Sequence, residues 1–314
     1  VRAHDVALFN RFLKGNIMFV LLGSNGNITS KTARILLSQG QAVRVVGRSA
    51  SALGELKEAG AEIAVGDIAN AAFLTDTFRG ADAVYTMIPP QYAAADMLAA
   101  QEPVGKAIVQ AIASSGVTRV VNLSSTGAHE PAGTGPIVTL HRQEQRLNQL
   151  DGVNVLHLRP GYFFENHFNA IGTIKALGVY ADMMESGARI PSIATADIAK
   201  VLARELVNFN TRGKAILHLR GPALYSQAEA ASILGQAIGK PDLKHVQADP
   251  AHAKAGMVQH GLSANVADLF EEMSRYFSTG SALDAVAAGP TEVTDTSLEH
   301  FAATVFAPVY QGGL

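Results

Sequence analysis

The chain has no cysteine among its 314 residues. Disulfides, thiolate nucleophiles and cysteine-held metals are therefore excluded, and the absence fits a cytoplasmic setting. No run of about 18 apolar residues occurs, so no transmembrane helix is expected. A strong charge of either sign is also missing, because the formal net charge is −2. Bulk electrostatics would draw in neither nucleic acid nor an anionic membrane, and a small-molecule partner is expected instead. A homo-oligomer stays open. No Gly-x-Ser-x-Gly elbow is present, which argues against hydrolase chemistry. The histidines lack the close pairing on one face that a zinc site needs, so no metal is expected.

Core material is ample, with 48% hydrophobic residues against 17% charged. A continuous apolar run over 17–22 reads as a strand buried on both faces. Helical spacing follows over 28–38, with Gly40 placed to end it. Further strands are expected over 42–46, 63–65, 83–88, 117–123 and 153–158. Helices are expected over 51–59, 104–115 and 143–150. Such alternation implies parallel βαβ units, that is, an α/β Rossmann-type doubly wound sheet. The second half is less regular. It suggests a helix over 195–208, a strand over 215–219, a helix over 226–238 capped by Ser226, and mostly helix from 250 onward.

Residues 1–16 are read as an N-terminal extension, a short docking helix being the other reading. Residues 17–165 form the expected dinucleotide-binding domain. Residues 166–314 form a smaller, mainly helical substrate domain, with segments returning to the first half. Ligands of open parallel sheets sit beyond the carboxyl ends of the strands, so residues there carry most weight.

Gly23-Ser24-Asn25-Gly26 follows the first strand and opens a helix. Glycine at 23 permits a tight turn, and glycine at 26 lets backbone N–H groups approach a pyrophosphate. The third fingerprint position is Thr29, whose branched side chain is expected to push the helix slightly off the sheet. The second strand ends at Val46-Gly47-Arg48-Ser49. An acidic residue there would suit the ribose hydroxyls of NAD. Arg48 instead suits a 2′-phosphate and favours NADP(H), with Ser49 adding a hydrogen bond. A solvated surface arginine is the alternative. Asp67 is placed to meet the adenine end, or else to cap the next helix.

Together the Gly23 loop, Val46-Gly47-Arg48, Gly66-Asp67, Leu123-Ser124-Ser125, the segment from Leu158 through Arg159-Pro160-Gly161 to Asn166, and Ala196-Asp197-Ile198-Ala199 carry a family likeness. The chain resembles the NmrA-like family of atypical short-chain dehydrogenase/reductases, nearest its NADPH-dependent quinone oxidoreductase and triphenylmethane reductase branch. The resemblance implies a cleft between two domains and NADP(H) more often than NAD(H). It implies that Gly23, Ser24, Asn25, Gly26, Asn27 and Ile28 cradle phosphates. It also implies that Met87, Ile88 and Pro89 line the cofactor and that Tyr162, Phe163 and Phe164 flank the nicotinamide.

One departure matters. The family's Tyr-x-x-x-Lys pair would fall at 136 and 140, counted back from Glu144, and those residues are Pro136 and Leu140. Alcohol–ketone chemistry is therefore not expected, nor is nucleotide-sugar epimerisation, which needs a base. Hydride transfer needs only a nicotinamide and an acceptor held at its face. His141 resembles a histidine of the quinone-reductase branch and could donate a proton; a surface or capping role is the other reading. Ser124 could take part in catalysis and Ser125 could touch the acceptor, or both could simply hold the loop. Tyr92 and His167 are pocket candidates with structural roles as the alternative. Asn166 is expected to tie the two domains, and His157 reads as a satisfied core histidine. The expected function is an NAD(P)H-dependent reductase of a quinone-like or aromatic conjugated acceptor. The alternative is a non-catalytic dinucleotide-binding redox sensor.

Overall fold

The computed structural model describes residues 17–23 and 26–312. The expectations for residues 1–16, and for Ser24 and Asn25, lie outside the described residues. The first half alternates as its apolar runs predict: β1 (Met18–Leu22), α1 (Asn27–Ser38), β2 (Ala42–Gly47), α2 (Gly54–Glu58), β3 (Glu62–Val65), α3 (Ala71–Phe78), β4 (Ala83–Thr86), α4 (Met97–Ser115), β5 (Arg119–Leu123), α5 (Val138–Asn148) and β6 (Asn154–Pro160). The second half adds short strands: β7 (Tyr162–Phe163), α6 (Ile171–Leu177), β8 (Tyr180–Asp182), β9 (Arg189–Ile193), α7 (Thr195–Val207), β10 (Lys214–Arg220), β11 (Leu224–Ser226), α8 (Gln227–Ala237) and β12 (His245–Gln247). It ends with α9 (Pro250–Gln259), α10 (Ala264–Ser278), α11 (Ser281–Ala287) and β13 (Thr291–Val293) before a last helical stretch from Leu298 to Tyr310.

The main sheet has eight strands in the order β13-β10-β6-β5-β4-β1-β2-β3. Its pairings are parallel throughout. Successive strand residues point to opposite faces, so both faces must be covered. Phe19, Leu21, Val43, Val45, Val121 and Leu158 pack with Leu36 of α1 and Ile198 and Leu202 of α7. Val20, Leu22, Val84, Val120 and Val155 pack on the other side with Leu74 and Phe78 of α3, Ile108 of α4 and Leu147 of α5. From β1 the chain steps outward to β2 and β3, then crosses back to β4. The strand order thus reverses between β1 and β4, and a crevice opens at their carboxyl ends.

A separate core holds the C-terminal unit, with Phe164, Tyr180, Tyr225, Leu234, Phe301 and Phe306 buried together. Ser226 caps α8 as its residue type predicts, in a reciprocal capping box with Glu229. Two strands of the second half return to the main sheet: β10 lies beside β6, and β13 lies outside β10.

Gly161, in the segment that carries most of the family likeness, has a steric reason to be glycine. A Cβ there would stand 2.0 Å from the Pro191 carbonyl oxygen. The close approach lets Gly161 N–H donate to Leu219 at 2.9 Å while β7 pairs with β9. Gly161→Ala is expected to cost about 2 kcal/mol of stability, the range typical of overpacking at a site that cannot relax freely. Urea unfolding of the two proteins measures it, and an unchanged midpoint would contradict the reading.

Candidate cofactor and acceptor site

The crevice between β1 and β4 begins at Gly23, which has φ +104° and would place a Cβ 2.5 Å from Thr29 Oγ1. Only glycine fits such a turn without strain. Thr29 does not act as the expected wedge. It is buried, and its hydroxyl donates to the Leu22 carbonyl at 2.9 Å, stitching α1 to the end of β1. Gly26 is the N-cap of α1 and donates to the Gly23 carbonyl at 3.0 Å. Among the described residues no side chain caps α1, and no acidic residue lies in its first turn. Its leading N–H groups therefore point outward, as an anion site requires. The helices α3, α4, α8, α9 and α10, by contrast, are capped by Asn70, Asp96, Ser226, Asp249 and Ser263. Asn27 is exposed and Ile28 is buried under the helix.

Arg48 stands exposed at the end of β2. It makes no hydrogen bond or ion pair with the described residues. Ser49 Oγ lies 2.6 Å from Ser51 Oγ and accepts from Ala52 N–H at 3.3 Å, so it shapes the turn after β2. Asp67 accepts from Ala69 N–H at 2.9 Å in a local turn, and the cap expected of it is supplied by Asn70.

After β4, Met87 and Pro89 are half-buried and Ile88 packs into the core with Val104 and Ile108. The segment is clasped to α10. The Tyr92 carbonyl accepts from Ser263 N–H at 2.9 Å, and Asn265 accepts from Met97 N–H at 3.0 Å. The Tyr92 ring is half exposed and lies 5.9 Å from the Phe270 ring, tilted by 38°. Nothing in the spacing of 92 and 270 pointed to that pair.

Pro136 sits in a 3-10 turn before α5, and Leu140 packs half-buried against the same core cluster as Tyr162 and Met273. His141 is half-buried, and its Nδ1–H donates to the Ala128 carbonyl at 3.0 Å. A carbonyl only accepts, so this bond fixes the tautomer and leaves Nε2 without a partner among the described residues. Protonation would make Nε2 a donor beside the loop that follows β5.

Three of the candidate side chains are buried inside the fold. Ser124 is buried, and its hydroxyl donates to Glu144 at 2.5 Å. Phe164 has no exposed surface and packs on Tyr225 and Phe301 in the C-terminal core. His167 is buried, with Nδ1 2.7 Å from the Tyr180 hydroxyl and its ring edge-on to Tyr162. Each has enough apolar surface or enough partners inside the fold to be drawn away from a cleft. Ser125 is half-buried and donates to the Thr126 carbonyl at 3.0 Å, while Tyr162 and Phe163 keep partly exposed faces. Asn166 makes no hydrogen bond among the described residues. The tie is made one residue earlier: Glu165 accepts from the backbone and hydroxyl of Thr195 and is 3.8 Å from Lys31 of α1. It thereby caps α7 and joins it to the glycine-loop helix.

His157 is held from both sides, 3.2 Å from Asn122 Nδ2 and 3.0 Å from Asn148 Oδ1. Burial pulls His157 and His167 down to about 4. The unfolded chain, with ordinary histidines near 6.5, then binds more protons than the folded one below that pH. Their contribution to stability is whole above pH 6.5 and is lost as pH falls toward 4. Thermal unfolding between pH 7 and pH 5 should show a falling midpoint, and His157→Gln should flatten the dependence.

No group of three or more His, Cys, Asp or Glu able to hold a metal occurs among the described residues. Nor is any helix there long and apolar enough to cross a membrane.

The sequence matches the family described as NAD(P)H-binding over residues 23–208, from the glycine loop to the end of α7. An NAD(P)H azoreductase of Xenophilus azovorans is 25% identical over 256 residues, spanning 82% of this chain and 86% of that one. A structure of an NADPH-dependent quinone oxidoreductase of Escherichia coli with NADPH superposes with a TM-score of 0.75 at 19% identity, covering 92% of this chain and 100% of that one. The triphenylmethane reductase of Citrobacter sp. with NADP(H) gives a TM-score of 0.73 at 18% identity, covering 94% of this chain and 100% of that one. The chain belongs to the NAD(P)H-binding family, and it carries the fold of the NmrA-like atypical short-chain dehydrogenase/reductases.

Proposed function

We propose that this NAD(P)H-dependent reductase prefers NADPH and passes hydride to a flat, conjugated aromatic acceptor of the quinone or azo class. The observation that carries the cofactor half is the pairing of an α1 N-terminus with an Arg48 one strand away, neither of which has a side-chain partner among the described residues. The first suits a pyrophosphate and the second a 2′-phosphate. The bound nicotinamide supplies the hydride; the residues supply placement.

The acceptor half rests on what stands where a catalytic pair would be. Pro136 and Leu140 hold no proton, and the partly buried side chains that share a core cluster with Leu140, Tyr162 and Met273, are apolar or aromatic. Tyr92 and Phe270 add an aromatic shelf across the β4 loop. Such a surface stacks on a ring system and holds no tyrosine–lysine pair to polarise a ketone. A quinone or azo group accepts hydride with less help, and one proton must follow. His141 Nε2 can deliver it when the ring is protonated. The names of similar proteins, an azoreductase and a quinone oxidoreductase, fall in the same acceptor class.

Steady-state oxidation of NADPH across a panel of quinones, azo dyes and triphenylmethane dyes tests the reading. Saturable turnover of at least one class is expected. Tight NADPH binding with no turnover would overturn it in favour of a redox sensor. His141→Phe is expected to lower kcat about tenfold for azo acceptors, below the usual general-acid contribution because the acceptor is already electrophilic. NADPH affinity should stay unchanged, as fluorescence titration would show.

A further inference from the structure

The segment that leaves β4 has few backbone means of holding its shape. Residues 87–91 belong to no helix or strand, and Pro89 and Pro90 have no N–H to donate. Yet it forms a wall of the crevice, where ligands of such sheets sit. Met87 lies against the glycine turn, its Sδ 3.3 Å from the place a Cβ on Gly23 would take.

A buried amide holds this wall. Gln101 of α4 is 3% exposed, and its Nε2 donates to the Pro89 carbonyl at 2.9 Å. A carbonyl only accepts, so this bond fixes which end of the amide is nitrogen and turns the oxygen the other way. There Oε1 accepts from the Thr139 hydroxyl of α5 at 2.8 Å. Thr139 is also buried, and it stands two residues before His141. The helices come close enough for this bond because of Gly105. It lies one turn after Gln101 on the same face, and a Cβ there would stand 2.5 Å from Gln143 Oε1. Gln143 lies one turn after Thr139, so the two contacts are successive rungs between α4 and α5. A buried amide costs stability unless both of its ends are paired, and an aliphatic side chain would carry no such cost. Gln101 spends its two ends on joining the crevice wall to the helix that bears His141.

We propose that Gln101 is a positioning residue for the reduction: it sets the separation between the β4 segment, against which the nicotinamide lies, and His141, which supplies the proton. The inference rests on the reductase reading above. Hydride and proton go to one acceptor, so the wall and the helix must stay in register. A misplacement of about 1 Å can cost on the order of 100-fold in rate. Gln101 acts through Pro89 and Thr139, and the phosphates are held elsewhere, at the start of α1 and at Arg48. Its loss therefore falls on the rate of reduction and leaves nucleotide affinity in place.

Three variants of the full chain test it. Gln101→Met keeps the length and loses both bonds, Thr139→Val loses the outer bond, and Thr139→Ser keeps it. With the acceptor that the parent protein turns over best, Gln101→Met should lower kcat about tenfold while the NADPH Kd stays within about threefold. The isotope effect from NADPH deuterated at the transferred position should rise. Thr139→Val should change the same quantities by less, and Thr139→Ser should restore them. The fluorescence lifetime of bound NADPH needs no acceptor. It should shorten toward that of the free nucleotide in Gln101→Met and Thr139→Val but not in Thr139→Ser. The proposal is overturned if kcat and lifetime are unchanged in Gln101→Met, if the loss appears only in NADPH affinity, or if Thr139→Ser behaves like Thr139→Val. If Gln101→Met does not fold, the Thr139 pair gives the same readings. If the parent protein reduces no acceptor, the reductase reading falls, and the lifetime still decides whether Gln101 holds the wall.

Discussion

Arg48→Glu is expected to raise the dissociation constant of NADPH on the order of 100-fold while leaving NADH within about threefold. A charge-assisted hydrogen bond to a phosphate contributes about 1.5–3 kcal/mol, and the substituted carboxylate adds repulsion of the same phosphate. NADH has only hydroxyls at that position, which a glutamate can accept from. The substitution isolates this term unusually well because Arg48 is exposed and bonds to no described residue. Nothing in the fold is lost with it. Fluorescence titration of both nucleotides gives the ratio directly. Equal loss for the two, or none, would remove Arg48 from the cofactor site and the NADPH preference with it.

The elements around the glycine loop were legible because parallel strands buried on both faces leave apolar runs, continuous in Met18–Leu22 and broken only by Arg44 in Ala42–Gly47. Helix starts were harder to see. The pattern places a helix from 104, just past Pro103. The structure starts α4 at Met97, capped by Asp96, with Pro103 inside it. Proline usually ends a helix, but packing of Val104, Ile108 and Ile112 into the core outweighs its cost here. Likewise α5 begins at Val138, five residues before the expected start, because Leu140 and His141 face a packed surface rather than solvent. The eight-residue α3 passed unread, its cap Asn70 lost among the polar residues of a turn. Strands β7, β8, β11 and β12 are two or three residues long, and their partners are distant in sequence, as Tyr162 with Ser192 shows. No local pattern specifies such pairings.

The candidate site divides in the same way. Backbone features were legible from Gly23, Gly26 and the break after β2, since turn chemistry is local. Side-chain destinations were not. Phe164 and Phe163 are neighbours, yet one fills the C-terminal core and the other packs against the sheet. Their separation depends on β9 and the helical stretch after Leu298, which sequence spacing does not locate. Arg159 was legible as part of a motif but not as half of an ion pair. A charged residue in the run Asn154–Pro160, otherwise buried, was the available signal, because a buried guanidinium requires a carboxylate.

That ion pair carries the second large expected effect. Glu144→Leu should destabilise the protein by about 3–5 kcal/mol, measured by urea unfolding. Glu144 is 2% exposed and Arg159 6%, and Glu144 receives Arg159 Nε and Nη2 together with the Ser124 hydroxyl. Removing the carboxylate leaves a guanidinium with little access to water and deprives a buried serine of its acceptor. The penalty comes from the stranded charge more than from the attraction lost. The double variant Glu144→Leu with Arg159→Met should therefore recover most of the stability, although it breaks the same pair. A double variant less stable than the single one would show instead that the pair's attraction exceeds its desolvation. The link would then help to fix α5, and with it His141, against the carboxyl ends of β5 and β6.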